Sequence, residues 1–151
     1  MAEQSVTHHT FTIERRYPVP VSRVFTSWRD PSTKRRWFTG DDGEHALDFQ
    51  VGGLETVQSV GANGQRLAFE SRFLDIVDDQ RIVYSSTLTA DGTLATASIT
   101  SVELRADGGA TVLTLTESGV FLDSRERPAW REQGTNDWLT RLGEEFSPAT
   151  D

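Results

Sequence analysis

From Ala46 to Ser118 the chain is written as alternating runs separated by turn chemistry, and this stretch constrains the fold more than any other. The breaks are Val51-Gly52-Gly53, Gly61-Ala62-Asn63-Gly64, Asp78-Asp79, Ala90-Asp91-Gly92 and Asp107-Gly108-Gly109, all rich in residues that accept tight turns. Six strands are predicted here, near 46–50, 54–60, 66–77, 80–89, 94–105 and 110–118. Connections this short favour an antiparallel meander. Several of the strands have one apolar face: Phe69 and Phe73 in one, Ile82, Tyr84 and Leu88 in the next, Leu113 and Leu115 in the last. Those faces need a cover, and the chain supplies one immediately afterwards. Over Pro128 to Phe146, Trp130, Gly134, Trp138, Leu142 and Phe146 recur every fourth residue and Leu139 widens the stripe, while Arg131, Glu132, Asn136, Asp137, Arg141 and Glu144 decorate the other side, the pattern of an amphipathic helix. Such a helix spans about 28 Å, roughly the length of a strand of nine or ten residues. One long helix can therefore lie across the sheet.

Ahead of the meander, Thr10 to Tyr17 alternates, with Phe11, Ile13 and Tyr17 on one side and Thr10, Thr12, Glu14 and Arg16 on the other, which suits a half-buried strand. Arg15 falls on the apolar side, where it either snorkels to the rim or places a guanidinium inside a polar cavity. Pro18 and Pro20 stop this strand. Val21, Val24, Phe25 and Trp28 then follow at helical spacing with Pro20 near the first position. Asp30 and Pro31 read as the N-cap and first residue of a second short helix, which Gly40 can end after Trp37 and Phe38. The order β-α-α-β-β-β-β-β-β-α predicts an α+β fold: a curved seven-stranded antiparallel sheet wrapped around a long C-terminal helix, with two short helices after the first strand. The 151 residues suffice for one domain with its own core; the reading is a single domain over 1–151, with the core at about 9–147 and tails at 1–8 and 148–151.

Composition removes several function classes. The chain has no cysteine, which excludes thiol catalysis, cysteine zinc sites and a disulfide framework. Its net charge of −8 argues against a nucleic-acid partner, whose phosphates demand Lys and Arg. The one basic run, Lys34-Arg35-Arg36, reads as a solvated helix face. Neither a signal peptide nor a long apolar span is present in MAEQSVTHHTF or beyond, so no membrane insertion is expected and the chain reads as cytoplasmic. His8 and His9 are adjacent and would point to opposite faces of a strand. With His45 they read as surface histidines, and no metal site or cofactor is expected. Gly52-Gly53 lies between strands rather than before a helix, which speaks against a nucleotide site. The serines lack an evident base, and Ser85-Ser86-Thr87 is a strand with a polar face.

One carboxylate stands out. Glu117 shares strand parity with Leu113 and Leu115 and should project toward the core, beneath a predicted loop over 119–123. There it can make a structural hydrogen bond or an ion pair with an arginine, contact a ligand, or act as a general acid or base if its pKa is raised by burial. Asp75 beside Phe73 poses the same question, with the nearby turn favouring a structural role. Among the aromatics, Trp28, Trp37, Trp130 and Trp138 at helical spacing suit a core or a cavity wall. Trp37, Phe38 and Phe121 are the candidates for a pocket mouth, at a helix end or in a loop. Gly134 costs a helix interior about 1 kcal/mol against Ala; it either lets the helix settle on the sheet or leaves a vacancy between Trp130 and Trp138.

The segment HTFTIERRYPVPVSRVFTSWRDPSTKRRWF resembles the opening of the family named for the activator of the heat-shock protein 90 ATPase, within the START-like, polyketide-cyclase-like superfamily of helix-grip domains. VGGLE at 51–55, FLDIVDDQRIVY at 73–84, TESGVFLD at 116–123 and REQGTNDWLTRL at 131–142 are similar to its bacterial single-domain members and follow in the expected order. Each motif is soft alone; together they cover nearly the whole chain. The resemblance implies a helix-grip fold with an apolar or amphipathic cavity between the sheet and the C-terminal helix. It further implies a hydrophobic small molecule as ligand, as in relatives that bind lipids, sterols or polyketides. The expected ligand-binding residues are Trp37, Phe38, Phe73, Tyr84, Leu115, Glu117, Phe121, Trp130, Gly134 and Trp138. A cyclase- or hydrolase-like enzyme with Glu117 as acid or base is the alternative, although nothing in the sequence demands turnover. A chaperone-interacting module is the third reading. Chaperone coactivation belongs in that family to longer proteins with an additional N-terminal domain, so it is not carried across. Leu54 stands where relatives often have Arg, which would make this pocket more apolar. A self-paired sheet edge or helix face could make a homodimer, but no heptad seam requires one.

Overall fold

Strands Val6–Tyr17 (β1), Glu44–Leu47 (β2), Leu54–Val60 (β3), Arg66–Val77 (β4), Arg81–Ala90 (β5), Thr93–Asp107 (β6) and Ala110–Leu122 (β7) form one antiparallel sheet in the computed structural model, which describes residues 4–39, 43–61 and 63–146. Helices Val21–Arg29 (α1) and Pro31–Phe38 (α2) follow β1, and Pro128–Glu144 (α3) follows β7. The strand order is β1-β7-β6-β5-β4-β3-β2. The meander from β2 to β7 is therefore laid down sequentially, and β1 closes on β7 with Phe11 opposite Glu117 and Ile13 opposite Leu115. This is the curved sheet, the two short helices and the long terminal helix that the sequence predicts.

Turn chemistry accounts for two of the joints. Asp91 and Gly92 both have positive φ, 50° and 82°, the requirement of a two-residue hairpin turn that matches strand twist. In the VGGLE motif Gly53 is fixed by space: a Cβ there would collide with the Asp48 carbonyl oxygen. Its neighbours tie the loop to β4, Gly52 N–H donating to the Phe73 carbonyl at 2.8 Å and Phe73 N–H to the Gly53 carbonyl at 3.1 Å. At the start of α2, Asp30 caps as expected, accepting from the Thr33 N–H at 3.1 Å. Gly40 and Ala62 lie outside the described residues.

The inner face of the sheet changes character along its strands. Phe11, Ile13, Phe73, Ile82, Val102, Leu113 and Leu115 pack beneath α1 and the second half of α3, with Val24, Phe25, Trp28, Leu139 and Leu142 above them. One register row further on, Glu55, Ser71, Ser86, Ser98 and Gly119 sit side by side across five strands. Apart from Glu55 this row is made of small residues, the first two serines hydrogen-bonded to each other at 2.8 Å. It adds little volume between the rows that carry Phe69 and Leu88 on one side and Phe73 and Tyr84 on the other.

Several sequence expectations change. β1 starts four residues earlier than the predicted Thr10, and β7 runs on to Leu122, so 119–122 is paired strand rather than loop. β2 occupies 44–47 instead of 46–50. The buried residues within α3 are Thr135, Leu139 and Leu142, whereas Trp130 is 59% exposed. The reason is geometric: a step of four residues overshoots a full helical turn by about 40°, so a stripe of every fourth residue winds around the helix instead of facing one way. Lys34 is not on a solvated face but completely buried, and the His45 side chain is buried with it.

A cavity under the terminal helix

The second half of α3 is pinned to the sheet. Tyr17 O–H donates to the Leu139 carbonyl at 2.8 Å. Arg15 crosses from β1 to the Asn136 carbonyl and Oδ1, at 3.2 and 3.0 Å, and to Thr140 Oγ1. Arg15 thus reaches from the apolar side of its strand to the flank of the helix and ties the two together, outside the cavity. Arg141 Nε donates to the Trp37 carbonyl at 3.0 Å, and Arg36 bridges Glu145 at 2.6 Å. At Gly143 the backbone comes close to β1: a Cβ there would stand 3.2 Å from the Tyr17 ring.

The first half is different. Around Gly134 nothing lies within 4 Å of where a Cβ would be, so this glycine is not explained by close packing. It borders a cavity of about 380 Å³ that is lined from the sheet by Val57, Ser59, Leu67, Phe69, Tyr84, Leu88 and Glu117, and from the helices by Phe38, Trp130, Arg131, Thr135 and Trp138, with Glu126 at the turn. That size falls in the range of small-molecule sites, which run from about 300 Å³ upward. Aromatic rings form much of the wall: Phe38 stacks edge-on against Trp138 at 5.1 Å and tilts against Phe69 at 5.9 Å.

One end of the cavity is polar. Glu117 is buried; its Oε2 accepts from Ser98 Oγ at 3.2 Å and Thr100 Oγ1 at 3.0 Å, and Arg131 Nη1 lies 3.3 Å away. Arg131 also donates from Nε to Glu126 Oε1 at 3.1 Å and from Nη2 to Thr96 Oγ1 at 2.8 Å. Its guanidinium lies 5.8 Å from the Phe69 centroid. One arginine therefore joins two carboxylates across the cavity end. Tyr84 lies beside them; burial, reinforced by the Glu117 and Glu55 carboxylates, raises its phenol well above the usual range, so it stays protonated.

Behind the wall sits a second polar cluster. Lys34 Nζ donates to Glu55 Oε1 at 2.7 Å, and Glu55 Oε2 meets His45 Nε2 at 2.8 Å. The ammonium lies 4.5 Å from the Phe38 centroid and 4.7 Å from that of Trp28, a cation–π setting. Burial pulls the Lys34 pKa below its usual value although Glu55 pushes it up. Burial also pushes Glu55 up, but the Lys34 charge and the hydrogen bonds from His45 and Lys34 outweigh it and leave the carboxyl below its usual value. Lys34, Trp37 and Phe38 share a helix face at i, i+3 and i+4. That spacing is the signal hidden inside the basic run.

Of the residues expected from the sequence to touch a ligand, Phe38, Tyr84, Glu117, Trp130, Gly134 and Trp138 line this cavity. Trp37, Phe73, Leu115 and Phe121 are buried in the core instead. Trp37 packs edge-on against Trp28 at 4.9 Å and tilted against Trp138 at 5.6 Å, and Phe121 belongs to β7 rather than a loop. Asp75 pairs with Arg81 after a bulge in β4, the structural role. Sequence reasoning missed Arg131, Glu126, Phe69, Leu67, Leu88 and Val57. The apolar stripe puts Arg131 on the outer face, yet it leads the face Arg131, Thr135, Leu139, Leu142, spaced i, i+4, i+8 and i+11. His9 is half-buried, 3.6 Å from Glu132 Oε1. Among the described residues no cluster of His, Asp and Glu is gathered to hold a metal ion, and no helix is long and apolar enough to cross a membrane.

Comparison with known proteins gives a family. The model described as Activator of Hsp90 ATPase homolog 1-like protein matches residues 18–147. An uncharacterised protein from Rhizobium leguminosarum is 34% identical with a TM-score of 0.90, over 94% of this chain and 96% of its own. The Mll3558 protein from Rhizobium loti is 43% identical with a TM-score of 0.88, over 93% and 99%. CalU16 from Micromonospora echinospora, 21% identical with a TM-score of 0.68 over 97% and 86%, shares the fold. No curated protein matches the chain.

Proposed function

The chain belongs to the family of Activator of Hsp90 ATPase homolog 1-like proteins, and from that premise we propose that it binds a hydrophobic or amphipathic small molecule between α3 and the concave face of the sheet. The observation that carries this reading is the cavity of about 380 Å³, with aromatic walls, one polar end, and Gly134 opening its helix side. An apolar site with a few convergent polar groups is the usual form of a small-molecule pocket. Binding is favoured over turnover by the partners Glu117 already has. Two hydroxyls and a guanidinium converge on its Oε2, which fixes the carboxylate in place as a polar anchor.

Gly134→Leu tests the reading. A Cβ at this position meets nothing within 4 Å and the position borders the cavity, so the variant should fold as the parent does and lose ligand. The measurement is native mass spectrometry of freshly purified parent and variant, which reports retained small molecules and the oligomeric mass together. A ligand retained equally by both proteins would place binding elsewhere.

A further inference from the structure

Resting on the binding reading above, we infer that the cavity selects amphiphiles with a cationic head, a protonated amine at the end of an apolar body, over those with a carboxylate. Three observations carry this. The polar end holds two carboxylates, Glu117 and Glu126, against one guanidinium, Arg131, which leaves one net negative charge in a largely desolvated place. The acceptors are not used up: Glu126 Oε1 takes Thr96 and Arg131 while its Oε2 accepts no hydrogen bond among the described residues. Glu117 Oε1 has only the long 3.4 Å contact from Arg131.

Arg131, by contrast, is outnumbered. Its Nε, Nη1 and Nη2 face Glu126, Glu117 and Thr96; two of its five N–H donors are left over, but an incoming carboxylate would be a third anion sharing this one guanidinium. The rest of the wall agrees with this sign. Phe38, Phe69, Trp130 and Trp138 line it, and cations of the protein already lie over three of these rings, Lys34 over Phe38, Arg131 over Phe69 and Arg127 over Trp130, a wall chemistry that attracts ammonium groups and not carboxylates. The chain as a whole carries −8, a field that gathers cations at the mouth. Arg127, 5.2 Å from the Trp130 centroid, is exposed at that mouth, where water and salt screen it.

The test is calorimetric titration of the whole chain at neutral pH with decylammonium, decan-1-ol and decanoate, all below their micellar concentrations. These share one apolar body and differ in head charge. Decylammonium should bind at least about tenfold more tightly than decanoate, with decanol between them, the scale set by one net charge at contact distance in a partly desolvated site. Glu126→Gln removes that net charge while keeping an acceptor; it should bring the amine and the carboxylate to within about threefold, leaving decanol unchanged. Equal affinities for the three probes, or a preference for decanoate, would overturn the selectivity while leaving the cavity reading intact. A preference for the amine that survives Glu126→Gln would overturn the assignment to this end. Failure of all three probes to bind would overturn the cavity reading and this inference together.

Discussion

Gly134→Ala should make the protein more stable, and the expected size follows from the surroundings of that residue. Gly134 lies inside α3, has no positive φ that would require glycine, and has nothing within 4 Å of the position a Cβ would take. The substitution therefore adds no clash. It removes the cost of glycine in a helix interior, about 0.8–1 kcal/mol, through the reduced freedom of the unfolded chain. For a domain of this length 1 kcal/mol moves Tm by about 2–4 °C. Gly143→Ala is the internal control, with the same chemistry on the same helix. Its Cβ would stand 3.2 Å from the Tyr17 ring, and that ring is held by the Leu139 carbonyl at 2.8 Å and by Phe146 at 5.3 Å between centroids. The helix gain is offset there by strain, so Gly143→Ala should be neutral or destabilising. Scanning calorimetry of the two variants beside the parent reads the difference directly. A fall in Tm for Gly134→Ala would refute the assignment of open space at that residue, and equal gains at both positions would refute the close approach at Gly143.

Lys34→Met leaves Glu55 buried beside His45 without its ammonium, and breaking a buried pair in this way costs about 3–5 kcal/mol, read as a lower urea midpoint. The pH dependence of that midpoint has two limbs. Glu55 sits below its ordinary 4.5 in the fold, so its contribution is full above that value and is lost as pH falls through the folded value; acid titration of the parent should show this loss. Lys34 is lowered from 10.5, so the unfolded chain holds its proton longer and stability should rise with pH between the folded value and about pH 10. Above their ordinary 10.0 the buried phenols of Tyr17 and Tyr84, both raised by burial, reverse the slope. Lys34→Met should lack the alkaline rise; its persistence would show that another group carries it. Tyr17→Phe removes the bond to the Leu139 carbonyl, which should cost about 0.5–1.5 kcal/mol by the same urea measurement.

Strands were legible where one face is buried and the other more solvated, as in β1, β4 and β5. Period-two alternation located β3 at 54–60 and β4 at 66–77, the bounds found in the structure, and the same parity pointed Glu117 inward. Helix orientation was harder. Large apolar residues drew the stripe through Trp130 and Gly134, although the face that meets the sheet runs through Arg131, Thr135, Leu139 and Leu142. The mean direction of a helix is set by its best-anchored residues, here Leu139 and Leu142, both fully buried. An arginine at the open end of such a face is easily taken for a solvent residue, because its partners Glu117, Glu126 and Thr96 lie five to thirty-five positions away in the chain. Lys34 was misread for the same reason: a run of three basic residues looks like a solvated surface until the carboxylate 21 positions on is brought beside the middle of an aromatic cluster.

The two polar clusters also divide the labour of the cavity wall. Phe38 and Trp138 line the cavity, and Lys34 Nζ lies only 4.5 Å from the Phe38 centroid. A buried ion pair is weak evidence of stability by itself, since well-packed apolar residues often do as well. What the Lys34–Glu55–His45 cluster adds is position: it fixes α2 to β2 and β3 through charge-assisted bonds of 2.7 and 2.8 Å, and Phe38 is the last residue of that helix. The cluster at the other end, Glu117–Arg131–Glu126, fixes the first turns of α3 and so the helix side of the same cavity. Substituting Lys34 should therefore loosen the Phe38 wall as well as the fold, whereas Glu126→Gln, at the partly exposed end, should alter which head group is held with little effect on the rings that hold its apolar body.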